Sequence, residues 1–270
     1  MHSRTGDVRS TYRLYSKRFT RCPANGDGVA PDSGTFNILI STCARAAAHN
    51  GAADRGGGSD ASSYSSDALL KLAFAAYAEM IEDGIAPDVI TLASLLHTCG
   101  NHAPPASKFG AFGEGGQTAE AADAARQHTE KVLALYETSV PDLRQTREKA
   151  ALARCGLHTI DHAIAPNPAV FSALIGAIFP DHLPSEVQFV LSQAEVHSVK
   201  LNSFVLLNLT RRLESVRVDR DSFSIETRPE VVEAAGVVMR YAERHGIANQ
   251  PKGKDVMKSL RRLAAARVTM

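Results

Sequence analysis

A short corner recurs along this chain, and it limits what the chain can fold into. In Ala73–Asp88 an amphipathic segment runs into Gly84-Ile85-Ala86-Pro87-Asp88, and a new apolar segment, Val89–Leu96, follows at once. Phe74, Tyr77, Ala78 and Ile81 fall three or four residues apart and form one stripe on a helix, expected to be its packing side. Gly84 is suited to the left-handed conformation that closes a helix, and Pro87 cannot continue one. Asp88 stands where an N-cap belongs, its carboxylate able to accept the unpaired amides of the next turn.

The same corner appears as Gly28-Val29-Ala30-Pro31-Asp32 before Thr35–Ile40 and as Ala163-Ile164-Ala165-Pro166-Asn167 before Val170–Ile175. Weaker copies are Ser198-Val199-Lys200-Leu201-Asn202 and Gly246-Ile247-Ala248-Asn249-Gln250. From Asn167 to Asn202 the step is 35 residues. Self-similarity at such a period is the mark of a helical solenoid, so the expected fold is all-α, an α–α superhelix of tandem helical hairpins.

The other steps are longer. Asp32 to Asp88 is 56 residues, accounted for by the Gly/Ser-rich stretch 50–67, which is too poor in apolar groups to pack. A second insertion is expected at 101–117, and helices at 118–138 and 144–163 leave open whether this part holds an extra repeat. Helical pairs are expected at 168–179 with 184–197 and at 203–216 with 230–245, and the basic segment 251–270 as a C-terminal capping helix. Residues 1–22 admit two readings: an Arg-rich, acid-poor mitochondrial targeting segment, or the second helix of a partial repeat with Tyr12, Tyr15 and Phe19 on one face.

Composition excludes several classes. No apolar run approaches the twenty residues of a membrane span. Tryptophan is absent and aromatics make up 6% of the chain, which favours close helix packing over sheet. Cys22, Cys43, Cys99 and Cys155 are widely separated, so a zinc or disulfide framework is not expected. Residues 1–22 and 251–270 each carry +5, leaving −9 for residues 23–250. An acidic middle opposes phosphate binding along the whole body.

A helix ending in Gly-x-x-Pro-Asp, followed by Thr-aromatic-Asn-x-Leu-Ile at a 35-residue period, resembles the pentatricopeptide repeat, over roughly residues 23–250. The resemblance implies binding of single-stranded RNA, about one base per repeat. It implies that the fifth residue of each first helix and the last residue of the repeat read the base, and that apolar residues near the helix start hold the base plane. The corresponding pairs are Asn37 with Asp88 and Ser172 with Asn202. Ala93 with Asn167 and Leu207 with Gln250 occupy the same places without a polar group at the first. All these acids and amides also serve as ordinary caps.

Candidate phosphate contacts are Arg211 and Arg212, and Lys252, Lys254, Lys258, Arg261 and Arg262 of the terminal segment. His158 and His162 share a helix spacing but lack a third ligand, and the glycines at 110–116 lack the strand and Gly-Lys-Ser/Thr of a phosphate loop. The chain is therefore read as non-enzymatic and without cofactor. Its expected role is in organellar, most simply mitochondrial, RNA processing, stability or translation. The alternative is a scaffold subunit of a mitochondrial ribonucleoprotein assembly such as the mitoribosome, with proteins as its main partners.

Overall fold

The computed structural model describes residues 7–18, 30–53, 64–102, 119–140, 164–178, 183–215, 226–227, 229–265 and 267–268. Among them the chain is helical: α1 Val8–Arg18, α2 Ser33–Ala53, α3 Ser66–Glu82, α4 Val89–His102, α5 Ala119–Ser139, α6 Pro168–Ala177, α7 Leu183–Val196, α8 Ser203–Ser215, α9 Pro229–Arg244 and α10 Gly253–Ala264. One small departure from all-α is a parallel bridge between β1, Glu226–Thr227, and β2, Arg267–Val268. The helix expected over 251–270 is found at Gly253–Ala264 only, ahead of the β-branched Val268, which favours extended backbone. The helix expected at 144–163 lies outside the described residues.

The recurrent corner works as its chemistry demands. At the end of α3, Gly84 takes φ +72°, and Ile85 N–H reaches back to the Met80 carbonyl at 3.0 Å, closing the helix with a left-handed residue. Asp88 then caps α4: its Oδ1 accepts from Ile90 N at 2.8 Å and from Thr91 N at 2.9 Å. Asp88 N–H in turn donates to Thr91 Oγ1 at 3.1 Å, so the threonine three residues on completes a reciprocal cap. Asp32 and Thr35 repeat the arrangement at α2, where the Thr35 hydroxyl and amide hold the exposed Asp32 carboxyl below its ordinary value. Asn167 and Asn202 cap α6 and α8 through Oδ1 alone, since valine stands where the threonine would be.

The chain divides into two units, Met1–His102 with Ile160–Ile164, and Ala103–Thr159 with Ala165–Met270. In the first unit α2 packs against α1, α3 and α4, around the fully buried Phe36, Leu39, Ile40, Leu69, Met80, Leu92, Leu95 and Leu96. Each such side chain contributes about 1.5–3 kcal/mol of transfer free energy. α1 is fastened to α3 by Tyr12 Oη donating to Leu72 O at 3.0 Å and Tyr15 Oη to Glu79 at 2.9 Å. Residues 8–18 thus form a helix packed in this unit.

The packing side of α3 differs from the expected one. Leu69, Ala73, Ala76 and Met80 are buried, while Phe74, Ala78 and Ile81 are exposed and Tyr77 is half-buried. Both sets keep helical spacing. The alanine-bearing side prevails because small residues let α3 approach α2 and α4 closely, and the bulkier stripe is left outside.

In the second unit α8 packs against α6, α9 and α10, and α9 packs against α7 and α10. On α10, Val256, Met257, Leu260 and Leu263 are buried. On α5, Val132 and Tyr136 face inward, Tyr136 resting against the Phe171 and Phe189 rings, each with centroids 6.1 Å away. In each unit, then, hairpins stack on hairpins, as in a solenoid.

Candidate nucleic-acid interface

Successive first helices lie side by side within each unit and are joined by polar side chains. In the first unit the Asn37 side-chain amide on α2 donates to Asp88 Oδ1 and Oδ2 at 3.1 and 3.0 Å. Thr91 Oγ1 donates to Asn37 Oδ1 at 2.6 Å. Further along the same pair, Asn101 Nδ2 donates to the Ala44 carbonyl at 3.0 Å. The two residues proposed as one base-reading pair therefore meet across 51 residues of chain. Asn37 is 7% exposed, and its amide is spent on Asp88 and Thr91. Thr91 is the member sequence reasoning left out; its place three residues after the cap was the available signal.

In the second unit the pairing is shifted by one helical neighbour. Ser172 receives its hydrogen bond from Asn208 Nδ2 at 3.2 Å, whereas Asn202 is exposed and occupied in capping α8. Ser172 and Asn202 thus share no hydrogen bond, and the polar partner on α8 is Asn208, adjacent to the half-buried apolar Leu207. Gln250 Oε1 accepts from Ser203 N at 2.9 Å, tying the last corner to the start of α8. Ala93, like Leu207, is half-buried and has no polar group to offer.

Two large apolar side chains stand open at the second position after a cap: Ile90 on α4, 59% exposed, and Phe204 on α8, 54% exposed. The Lys252 ammonium lies 5.3 Å from the centre of the Phe204 ring. An exposed aromatic face with a cation beside it is suited to stacking on a base and meeting its phosphate.

The cationic candidates divide by what they touch. Arg212 is half-buried, and its guanidinium donates to the Gly176 carbonyl at the end of α6, with desolvation lowering its pKa. His128 Nε2 lies 3.2 Å from the neighbouring Ala177 carbonyl, so the C-terminus of α6 is capped by side chains from two other helices. Arg262 reaches Glu214 at 2.5 Å. Arg211, Lys254, Lys258 and Arg261 are exposed and form no ion pair among the described residues.

Cys43 and Cys99 are buried thiols, each pushed up to about 11 mainly by burial, which suits packing rather than nucleophilic chemistry. Among the described residues no three His, Cys, Asp or Glu side chains gather as a metal site, and His158 and His162 lie outside them. Also among those residues, no helix is long and apolar enough to cross a membrane.

No family model and no curated protein sequence matches the chain. Among solved structures it is similar to the PPR domain of Arabidopsis thaliana protein-only RNase P 1 in complex with tRNA, at 14% identity and a TM-score of 0.47, over 97% of this chain and 94% of that one.

Proposed function

We propose that this chain is an RNA-binding protein of the pentatricopeptide type, taking single-stranded RNA in a mitochondrion or other organelle and acting in transcript processing, stability or translation without catalysis of its own. The observation that supports this reading most is the meeting of Asn37 and Asp88, together with Ile90 open to solvent two residues beyond the cap. A base edge would have to compete with Asp88 for the Asn37 Nδ2 hydrogens or with Thr91 for Oδ1, and Ile90 would cover the base plane. Lys254, Lys258 and Arg261 would meet the backbone. The test is binding to a random single-stranded RNA pool at moderate salt. Enrichment that disappears in Asn37→Ala with Asp88→Ala supports base reading, whereas an unchanged or absent enrichment removes it.

A second reading, a scaffold subunit of a mitochondrial ribonucleoprotein assembly, is favoured by the apolar Ala93 and Leu207 and by the exposed Phe74–Ala75–Ala78–Ile81 stripe of α3. Size-exclusion of an organelle lysate separates the two: co-migration with a large particle supports the scaffold, and free protein the lone RNA binder.

A further inference from the structure

One row of charge lies outside every pair described so far. Val8 and Thr11 of α1 are buried and Tyr12 and Tyr15 are half-buried, the two tyrosines bonded to α3. That anchoring fixes the rotation of the helix and turns Arg9, Arg13 and Lys17 outward together; all three are exposed. They follow one another at i, i+4 and i+8, which sets their attachment points about 6 Å apart along the axis. None forms an ion pair among the described residues.

Like charges at this spacing work against the helix, and residues 23–250 are acidic on balance, so the row is no extension of a generally basic surface. Its composition also points to the partner. A protein interface centres on a desolvated apolar anchor and is depleted in lysine. Among the described residues of α1, the one exposed large apolar side chain, Leu14, sits about 100° round the helix from Arg13. Regularly stepped cations on a rigid support suit a regularly stepped polyanion, and guanidinium groups suit phosphate oxygens in particular.

We infer that the Arg9–Arg13–Lys17 row of α1 is a phosphate-backbone contact for RNA, separate from the Asn37–Asp88 pair and from the cations of α10. The inference rests on the RNA-binding reading above. The row would add affinity and salt dependence without sequence preference.

The experiment titrates the full chain and its Arg9→Gln, Arg13→Gln, Lys17→Gln variant with a single-stranded RNA pool across a salt series. Three lost single-strand phosphate contacts reduce the log–log salt slope by about 2, with the preferred sequence unaltered. Circular dichroism melting keeps folding in view, since removing the like charges is expected to leave Tm unchanged or raise it. An unchanged slope in a variant that binds like the original overturns this inference alone. Absence of RNA binding by the original chain overturns both it and the proposed function. Displacement of RNA by polyglutamate at equal charge concentration reassigns the row to an acidic protein and overturns it as well.

Discussion

Ser198 takes at the end of α7 the conformation that Gly84 takes at the end of α3, with φ +56° against +72°. The accompanying bonds match: Val199 N–H reaches the Ala194 carbonyl at 2.8 Å, as Ile85 N–H reaches Met80. A serine in this region carries a steric cost that glycine avoids. Ser198→Gly is therefore expected to stabilise the protein by up to about 1 kcal/mol despite the greater freedom of its unfolded chain. Gly84→Ala is expected to destabilise it by about 1 kcal/mol, wholly through the backbone, since a Cβ there would meet nothing within 4 Å. Urea midpoints of the two variants check the pair of signs.

Removal of the Asn37 amide strands part of the Asp88 carboxylate and the Thr91 hydroxyl. Asn37→Ala is expected to cost about 1–2 kcal/mol. Asp88→Ala costs a similar amount and additionally loses a helix cap. Because the residues touch, a double-mutant cycle on denaturation should show a favourable coupling above about 0.5 kcal/mol. Additive losses would mean that the two side chains do not hold each other.

Glu186, in the first turn of α7, is 9% exposed, its Oε2 has no hydrogen-bond partner, and burial pushes its carboxyl up to about 7. The unfolded chain releases this proton near the ordinary value of about 4.3. Between those two values the folded state binds more protons than the unfolded one, so stability falls as pH rises from about 4.3 to about 7 and is level above. The loss is at most about 4 kcal/mol. Glu186→Gln is expected to flatten that part of a stability–pH profile, measured by urea denaturation at intervals from pH 4 to pH 8.

Arg212 and the α10 cations should separate cleanly. Arg212→Met leaves the Gly176 carbonyl without its guanidinium and is expected to cost about 1–3 kcal/mol of stability, the range for a charge-assisted bond. It should leave the salt slope of RNA binding unchanged. Lys254→Gln, Lys258→Gln and Arg261→Gln together should do the reverse, lowering the slope by about 2 with Tm nearly constant. Calorimetry and a salt titration on the same preparations decide it.

Much of this architecture was legible because its causes are local. The left-handed Gly84, the helix-stopping Pro87 and the Asp88 cap each act within a few residues, so the corner could be read letter by letter. Asn37 and Asp88 were named together only through the resemblance, and their hydrogen bond to each other is a finding of the structure. Lateral chemistry was less visible: whether Leu207 or Asn208 faces Ser172 is decided by a one-residue rotation that spacing does not encode. On α3 the apolar residues occupy more than one side, and only packing against α2 and α4 chose Ala73 and Ala76 over Phe74 and Ile81. Arg212 read as a surface cation because its aliphatic stem and its acceptor at Gly176 belong to different helices.

The sideways fastenings between first helices have a consequence for how such a chain can vary. Asn37 grips Asp88 over 51 residues, and Asn208 grips Ser172 over 36, so in each unit polar side chains fasten one first helix to the next across chain stretches of different length. Such a fastening does not depend on the length of chain strung between its partners. A tag, a fluorophore-bearing loop or a whole guest domain spliced between α2 and α3 would leave the stack's register as it is, which makes that stretch the place to attach a reporter.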